Sequence, residues 1–181
     1  YQMKKIFNPF ISMLSNEELK DYVRLALDEV PKYFWEIPAS SSGKYHPAHD
    51  LGVGGLVRHT VMVMQCALDL ARSEEENPDP LYLDAILVAC MFHDCLKNGL
   101  ENGGHTVFNH PALAFEFVLK NFYDYDSCFA VEVAKAVYCH MGRWNTNQKG
   151  EILLLPLTRL ERTVHLADYI ASRKYVTYMP I

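Results

Sequence analysis

The sequence predicts an all-α fold in a single domain. Six stretches place apolar residues at the three-and-four spacing of one helix face, and no stretch alternates like a half-buried strand. The 181 residues also contain no break in composition that would separate two domains. Half of the residues are hydrophobic and 22% are charged, enough apolar material for one core in an ordinary globular chain.

Ser15 followed by Glu18 reads as a capping box opening the first helix, which runs to about Pro31. The second starts at Gly54 or Gly55 and continues to about Arg72, with Leu56, Val63, Ala67 and Leu70 on one face. The third starts near Pro80, passes through ILVACMFHDCLKN and ends around Asn98 and Gly99. Pro111, suited to a first turn, starts the fourth, ALAFEFVLKNF. SCFAVEVAKAVYCH forms the fifth, with Asp126 or Ser127 as its cap, and PLTRLERTVHLADYIASR forms the sixth. Two loops stand out. PASSSGKYHPAHDLGVGG, residues 38–55, holds four glycines, two prolines, two histidines and a lysine, and MGRWNTNQKGE follows His140 directly. Both are expected as walls of a site rather than plain connectors.

The net charge of −5 argues against a broad basic surface for duplex DNA and leaves room for a local cationic pocket. A small or single-stranded substrate fits better. The longest apolar run is far short of the roughly 18–20 residues of a membrane span, and YQMKKIFNPF lacks a signal-peptide core, so a cytoplasmic protein without a membrane partner is expected. Cys66, Cys90, Cys95, Cys128 and Cys139 are odd in number and form no CxxC pair, which reads as reduced thiols in the core. Nothing in the sequence sets the oligomeric state.

The chemistry lies in polar residues on apolar faces. After seven apolar residues, Ile86 to Phe92, the chain places His93 beside Asp94, where burial of a carboxylate costs several kcal/mol unless it is paired or bound to a metal. His59 shares the stripe of Leu56 and Val63, and His140 continues the stripe of Phe129, Val133 and Val137. Asp168 lies one turn after Val164, and His110 just before Pro111. Singly, each reads as a satisfied core histidine or a hydrogen-bonded aspartate. Together they would each need a separate buried partner, a costly packing solution that one or two metal ions would replace. Imidazole nitrogen and carboxylate oxygen without thiolate suit manganese, iron, cobalt, nickel or zinc, and argue against calcium or a structural cysteine–zinc site.

The pattern H59…H93-D94…H110…H140…D168 resembles that of the HD-domain superfamily of metal-dependent phosphohydrolases, over about residues 35–175. The resemblance implies His59, His93, Asp94 and Asp168 as core ligands, with His110 and His140 matching the additional ligands of two-metal members. Lys97 continues the motif as HDxxK, although Leu96 stands where glycine is usual. IPASSSGKYHPAHDLGVGGLVRHT, and GGLVRHT most specifically, is similar to a segment of the HD domain in bacterial 3′-to-5′ exoribonucleases. Those enzymes also carry an OB domain for nucleic acid, which these 181 residues do not contain.

For a two-metal member the resemblance implies Asp94 as the ligand shared between ions and a metal-activated water as the nucleophile. Two divalent ions and two carboxylates leave the site about +2, which suits one hydroxide and a phosphate group. Asp94 and Lys97 are the expected catalytic residues. Lys97, one turn beyond His93, either binds a phosphoryl oxygen or assists the leaving group, or is a solvent lysine at a helix end.

Lys44, His46, His49, His105, Arg143 and Trp144 are the candidate substrate contacts, with Trp144 either stacking on a base or serving as a packing anchor. Arg143 and Arg173 are phosphate contacts or surface arginines, and His165 either supports a ligand or lies on the helix surface. The expected activity is hydrolysis of a phosphate ester of a nucleotide or short single-stranded oligonucleotide. The competing readings are an HD-fold di-iron oxygenase and a non-catalytic nucleotide-binding module.

Overall fold

The computed structural model describes residues 3–176. Among them are seven α-helices and, in place of strands, a single isolated bridge between Thr146 and Ile152. The helices are α1 (Asn8–Met13), α2 (Glu17–Glu29), α3 (Gly55–Glu74), α4 (Pro80–Phe92), α5 (His110–Phe122), α6 (Ser127–Tyr138) and α7 (Arg159–Ala171). None of these is long and apolar enough to cross a membrane.

The centre of the bundle is α4. Its sequence from Ala85 to Phe92 is apolar on every side, and every residue from Asp84 to Phe92 is buried. A helix apolar all round has no solvent face and must be enclosed. It packs against α3, α6 and α7, while α5 lies along α6 and α3 along α7. Phe92 meets Phe117 and Phe122 of α5 with ring centroids 5.6 and 5.7 Å away, which carries the core across to that helix.

Helix starts follow local chemistry, with two corrections to the sequence reading. The cap of α2 is Asn16, whose side chain accepts from the Leu19 amide at 2.8 Å; Ser15 does not cap it. Ser15 instead gives its amide and hydroxyl to the Asp84 carboxylate, at 2.9 and 2.5 Å. That carboxylate is buried in α4 and needs donors more than the exposed start of α2 does. The true capping box is Thr158 with Glu161, at the start of α7. Asp126, the first of the two expected candidates, caps α6.

The short α1 is an addition to the expected six helices. It opens with Pro9 in its first turn and buries Phe10 and Ile11. Phe7 just before it packs on Phe34 and Trp35, closing one end of the core.

Two helices also end earlier than the spacing predicts, α4 at Phe92 rather than Asn98 and α6 at Tyr138 rather than His140. Beyond Phe92 the chain tightens into three-residue turns, with Cys95 N–H on Phe92 O, Lys97 N–H on Asp94 O and Gly99 N–H on Leu96 O. His93, Asp94 and His140 therefore sit just past helix ends.

Candidate metal centre

Five helices, or the turns that follow them, converge on one cluster. His59 comes from the second turn of α3, His93 and Asp94 from the turn after α4, His110 from the first residue of α5, His140 from the turn after α6, and Asp168 from α7. All but Asp168 are buried, and the Asp168 side chain is about 20% exposed.

The imidazoles are aimed by their outer nitrogens. His93 Nδ1 bonds Cys90 O at 2.7 Å, His110 Nδ1 bonds Val107 O at 2.8 Å, and His140 Nδ1 bonds Val137 O at 2.7 Å. Each acceptor lies three residues earlier, and Cys90 and Val137 belong to last turns, where helical carbonyls lack partners. An Nδ1–H donated to a carbonyl leaves the Nε2 lone pair free and pointing inward, the arrangement that orients a metal ligand. His165 adds support from α7 by bonding His140 O at 2.6 Å. It packs so closely on Gly142 that a Cβ there would lie 2.4 Å from its ring.

Asp94 is the hub. Its Oδ1 faces His110 Nε2 at 3.2 Å and His140 Nε2 at 3.6 Å. Its Oδ2 faces His93 Nε2 at 3.4 Å and Lys97 Nζ at 2.5 Å. A second focus forms at Asp168, whose Oδ1 lies 3.0 Å from His59 Nε2 and 3.7 Å from His93 Nε2.

Electrostatics follows from this crowding. Burial works to raise the Asp94 carboxyl, but Lys97, His93 and His110 outweigh it and hold it well below the usual carboxylate range. Asp168 is lowered likewise against burial by His59, His93 and His140. Burial also opposes the charged form of His59, yet Asp168 and Asp50 raise it to about 9. His140 goes the other way, lowered to about 3 by burial and by neighbouring His93.

The donor set fits a divalent cation on the evidence of its orphans. His93 Nε2 and Asp94 Oδ1 are buried with no hydrogen-bond partner among the described residues, which is costly in a sealed core and ordinary for metal ligands. Among the described residues four overlapping groups have ligand atoms close enough to share an ion: His59–His93–Asp94, His93–His140–Asp168, Asp94–His110–His140 and, to one side, His46–Asp50–His59. None of them includes a cysteine. Burial pushes the Cys90 and Cys95 thiols well up, so neither offers a thiolate, and Cys128, expected inside, is exposed.

The cluster opens into a cavity of about 310 Å³. Asp94, Lys97, His110, His140 and Asp168 form its floor, with His46, Trp144, Tyr169 and Arg173 on its walls. Lys97 is buried and paired with Asp94, so it is not a solvent lysine, and it projects from a turn rather than a continuing helix.

Of the six candidate substrate contacts, His46 and Trp144 line the cavity, while Lys44, His49, His105 and Arg143 do not. Lys44 lies over the Tyr45 ring, His49 packs beside Asp50, and His105 turns back onto Gly103 O. Arg143 lies over the Trp144 ring, which also stacks on Tyr169 at 5.6 Å and 11°. Trp144 is thus stacked on Tyr169 yet exposed, and Arg173, not Arg143, is the arginine at the cavity.

Sequence reasoning missed Asp50, Arg58 and Tyr169. Asp50 belongs to a second His-Asp pair, His49–Asp50, which was a legible signal. Arg58 gives its guanidinium to His49 O, Leu51 O and Val53 O, tying the loop to α3. With Gly54 in the left-handed region at φ 71° and Gly55 tight against Asp50 O, this accounts for GGLVRHT as a loop clasp.

Comparison with curated proteins and with solved structures gives no match. The model of one family, the HD domain, matches residues 56–173. That stretch contains every residue of the His/Asp cluster, and the chain belongs to the HD domain family, which is generally one of metal-dependent hydrolases.

Proposed function

We propose that this protein hydrolyses a phosphate ester of a nucleotide or a short single-stranded oligonucleotide at a centre of two divalent ions. The observation that carries the reading is Asp94, whose two oxygens face different histidine sets at the floor of a cavity walled by cations and aromatic rings. His59, His93, Asp94 and Asp168 would hold one ion, and Asp94, His110 and His140 the other. Bound there, divalent ions supply Lewis acidity toward phosphoryl oxygens and a water ionised near neutral pH.

The chain's own residues do the rest. Lys97 keeps Asp94 ionised and presents a positive charge to a phosphoryl oxygen. Arg173, held by Tyr169 O at 3.0 Å and Ser172 Oγ at 2.8 Å, offers a second cation at the mouth. The stacked Trp144 and Tyr169 give an apolar wall against which a base fits. The net charge of −5 leaves duplex DNA disfavoured, and such a pocket suits a small anion.

The test is elemental analysis of purified protein together with a hydrolysis screen of nucleotides, cyclic nucleotides, bis-p-nitrophenyl phosphate and short oligonucleotides. Manganese-, iron-, cobalt-, nickel- or zinc-dependent phosphate-ester cleavage is expected. Two irons with oxygen uptake and no phosphate release would overturn the proposal in favour of an oxygenase, and nucleotide binding without turnover would favour a regulatory module. Asp94→Ala should abolish metal binding and hydrolysis together, and hydrolysis surviving that change would place the chemistry elsewhere.

A further inference from the structure

His59 differs from the other three histidines of the centre. It lies inside α3, where the carbonyls one turn back already serve the helix, and Leu56 O accepts the Thr60 hydroxyl as well. No orphan carbonyl is left to take its Nδ1 proton. What stands opposite Nδ1 is Asp50 Oδ2, 3.3 Å away, on a fully buried carboxylate.

Among the described residues neither Asp50 oxygen has a formed hydrogen bond, nor has His59 Nδ1, although Asp50 Oδ1 lies 3.2 Å from His49 Nε2. A buried carboxylate with so little compensation is expensive to keep for packing alone. Its position is nonetheless fixed from several sides. Asp50 O accepts the Ala39 amide at 2.9 Å, and Asp50 N–H donates to Pro47 O at 3.1 Å. Arg58 grips the flanking carbonyls, and Gly55 lies so near that a Cβ would stand 2.0 Å from Asp50 O.

We propose that Asp50 is a positioning residue for the metal centre: it accepts the Nδ1 proton of His59, fixing the tautomer and ring angle that present Nε2 to the ion. Asp50 does for His59 what the backbone carbonyls of Cys90, Val107 and Val137 do for His93, His110 and His140. At 3.3 Å the two atoms are within hydrogen-bonding reach. A carboxylate acceptor also makes the imidazole more basic than a carbonyl does, which strengthens this one ligand. The proposal rests on the reading of the cluster as a metal centre.

The experiment compares wild type with Asp50→Ala, Asp50→Asn and, as a control on the centre itself, His59→Ala. Zn²⁺ affinity and stoichiometry are read by calorimetry, melting of the metal-free proteins by circular dichroism, and the His59 tautomer by long-range ¹H–¹⁵N NMR of the Zn²⁺-loaded protein. Asp50→Ala is expected to weaken Zn²⁺ binding roughly 10- to 100-fold without lowering the metal-free melting temperature. Asp50→Asn, which keeps an acceptor oxygen, should retain most of the affinity, and His59 Nδ1 should carry its proton in wild type.

Unchanged affinity in Asp50→Ala, while His59→Ala loses it, would overturn this proposal and leave the metal centre standing. So would a lower metal-free melting temperature with normal affinity, or an Nδ1 bound by zinc, which would make His46, Asp50 and His59 a separate cation site. Wild type that binds no metal would overturn the metal-centre reading and this inference with it.

Discussion

The ionisable residues of the cluster oppose one another in their response to pH. His59, raised to about 9 from 6.5, contributes stability that is fully present below pH 6.5 and is lost as pH rises through 9. His140 and His46 are lowered to about 3 and about 4, mainly by burial, so they remain neutral while the unfolded chain takes up protons, and they destabilise the fold increasingly below pH 6.5. Asp168, held low by His59 and His93, adds a loss below its usual 3.8. Urea midpoints of the metal-free protein should therefore peak near pH 6.5 and fall on both sides, and a steady rise to pH 9 would contradict this balance. A single methyl group tests the loop clasp. Gly55→Ala puts a Cβ against Asp50 O, and overpacking of about 1–3 kcal/mol is expected in urea denaturation together with weaker metal binding.

Helix ends do more for the centre than helix middles. The C-termini of α4 and α6 bring His93 and His140 in, and their negative dipole ends favour a cation between them. The early stop of both helices was hidden in the sequence because their apolar spacing runs on past Phe92 and Tyr138. What ends them is the competition of imidazoles and turn amides for the last carbonyls. The start of α7 is set by Thr158, whose hydroxyl accepts the Glu161 amide while Glu161 Oε2 accepts the Leu157 and Thr158 amides. Thr158→Ala should cost about 1 kcal/mol in thermal or urea unfolding. Asp168 is about three turns away, so metal stoichiometry should not change, and a lost ion would mean that the cap also positions the ligand.

At the scale of the molecule, the cluster concentrates carboxylates and imidazoles where five helices meet, a poor arrangement for a core without a cation. Loading with a divalent ion at 100 times its Kd should stabilise the fold by about 2.7 kcal/mol per ion bound only by the folded state. Melting temperature should rise by several degrees and return on addition of EDTA. No shift on loading would mean that the ligands are not organised by the fold.

Much of this was readable from the chain. Composition and three-and-four spacing determined the all-α class, and the His/Asp residues of the cluster were legible because a histidine or aspartate on an apolar stripe conflicts with its surroundings. Arg58 and Tyr169 were not, because a polar side chain beside another polar residue breaks no local pattern, whereas the adjacent His49–Asp50 pair was a signal that could have found Asp50. Ser15 looked like a cap, and only the position of Asp84 in the fold decided that its amide and hydroxyl go elsewhere. The sequence by itself determined the all-α class and which histidines and aspartates lie on apolar stripes, since type and spacing are local. Only the tertiary structure decided which oxygen faces which imidazole and which cations reach the cavity, because those depend on helix ends brought together across the whole chain.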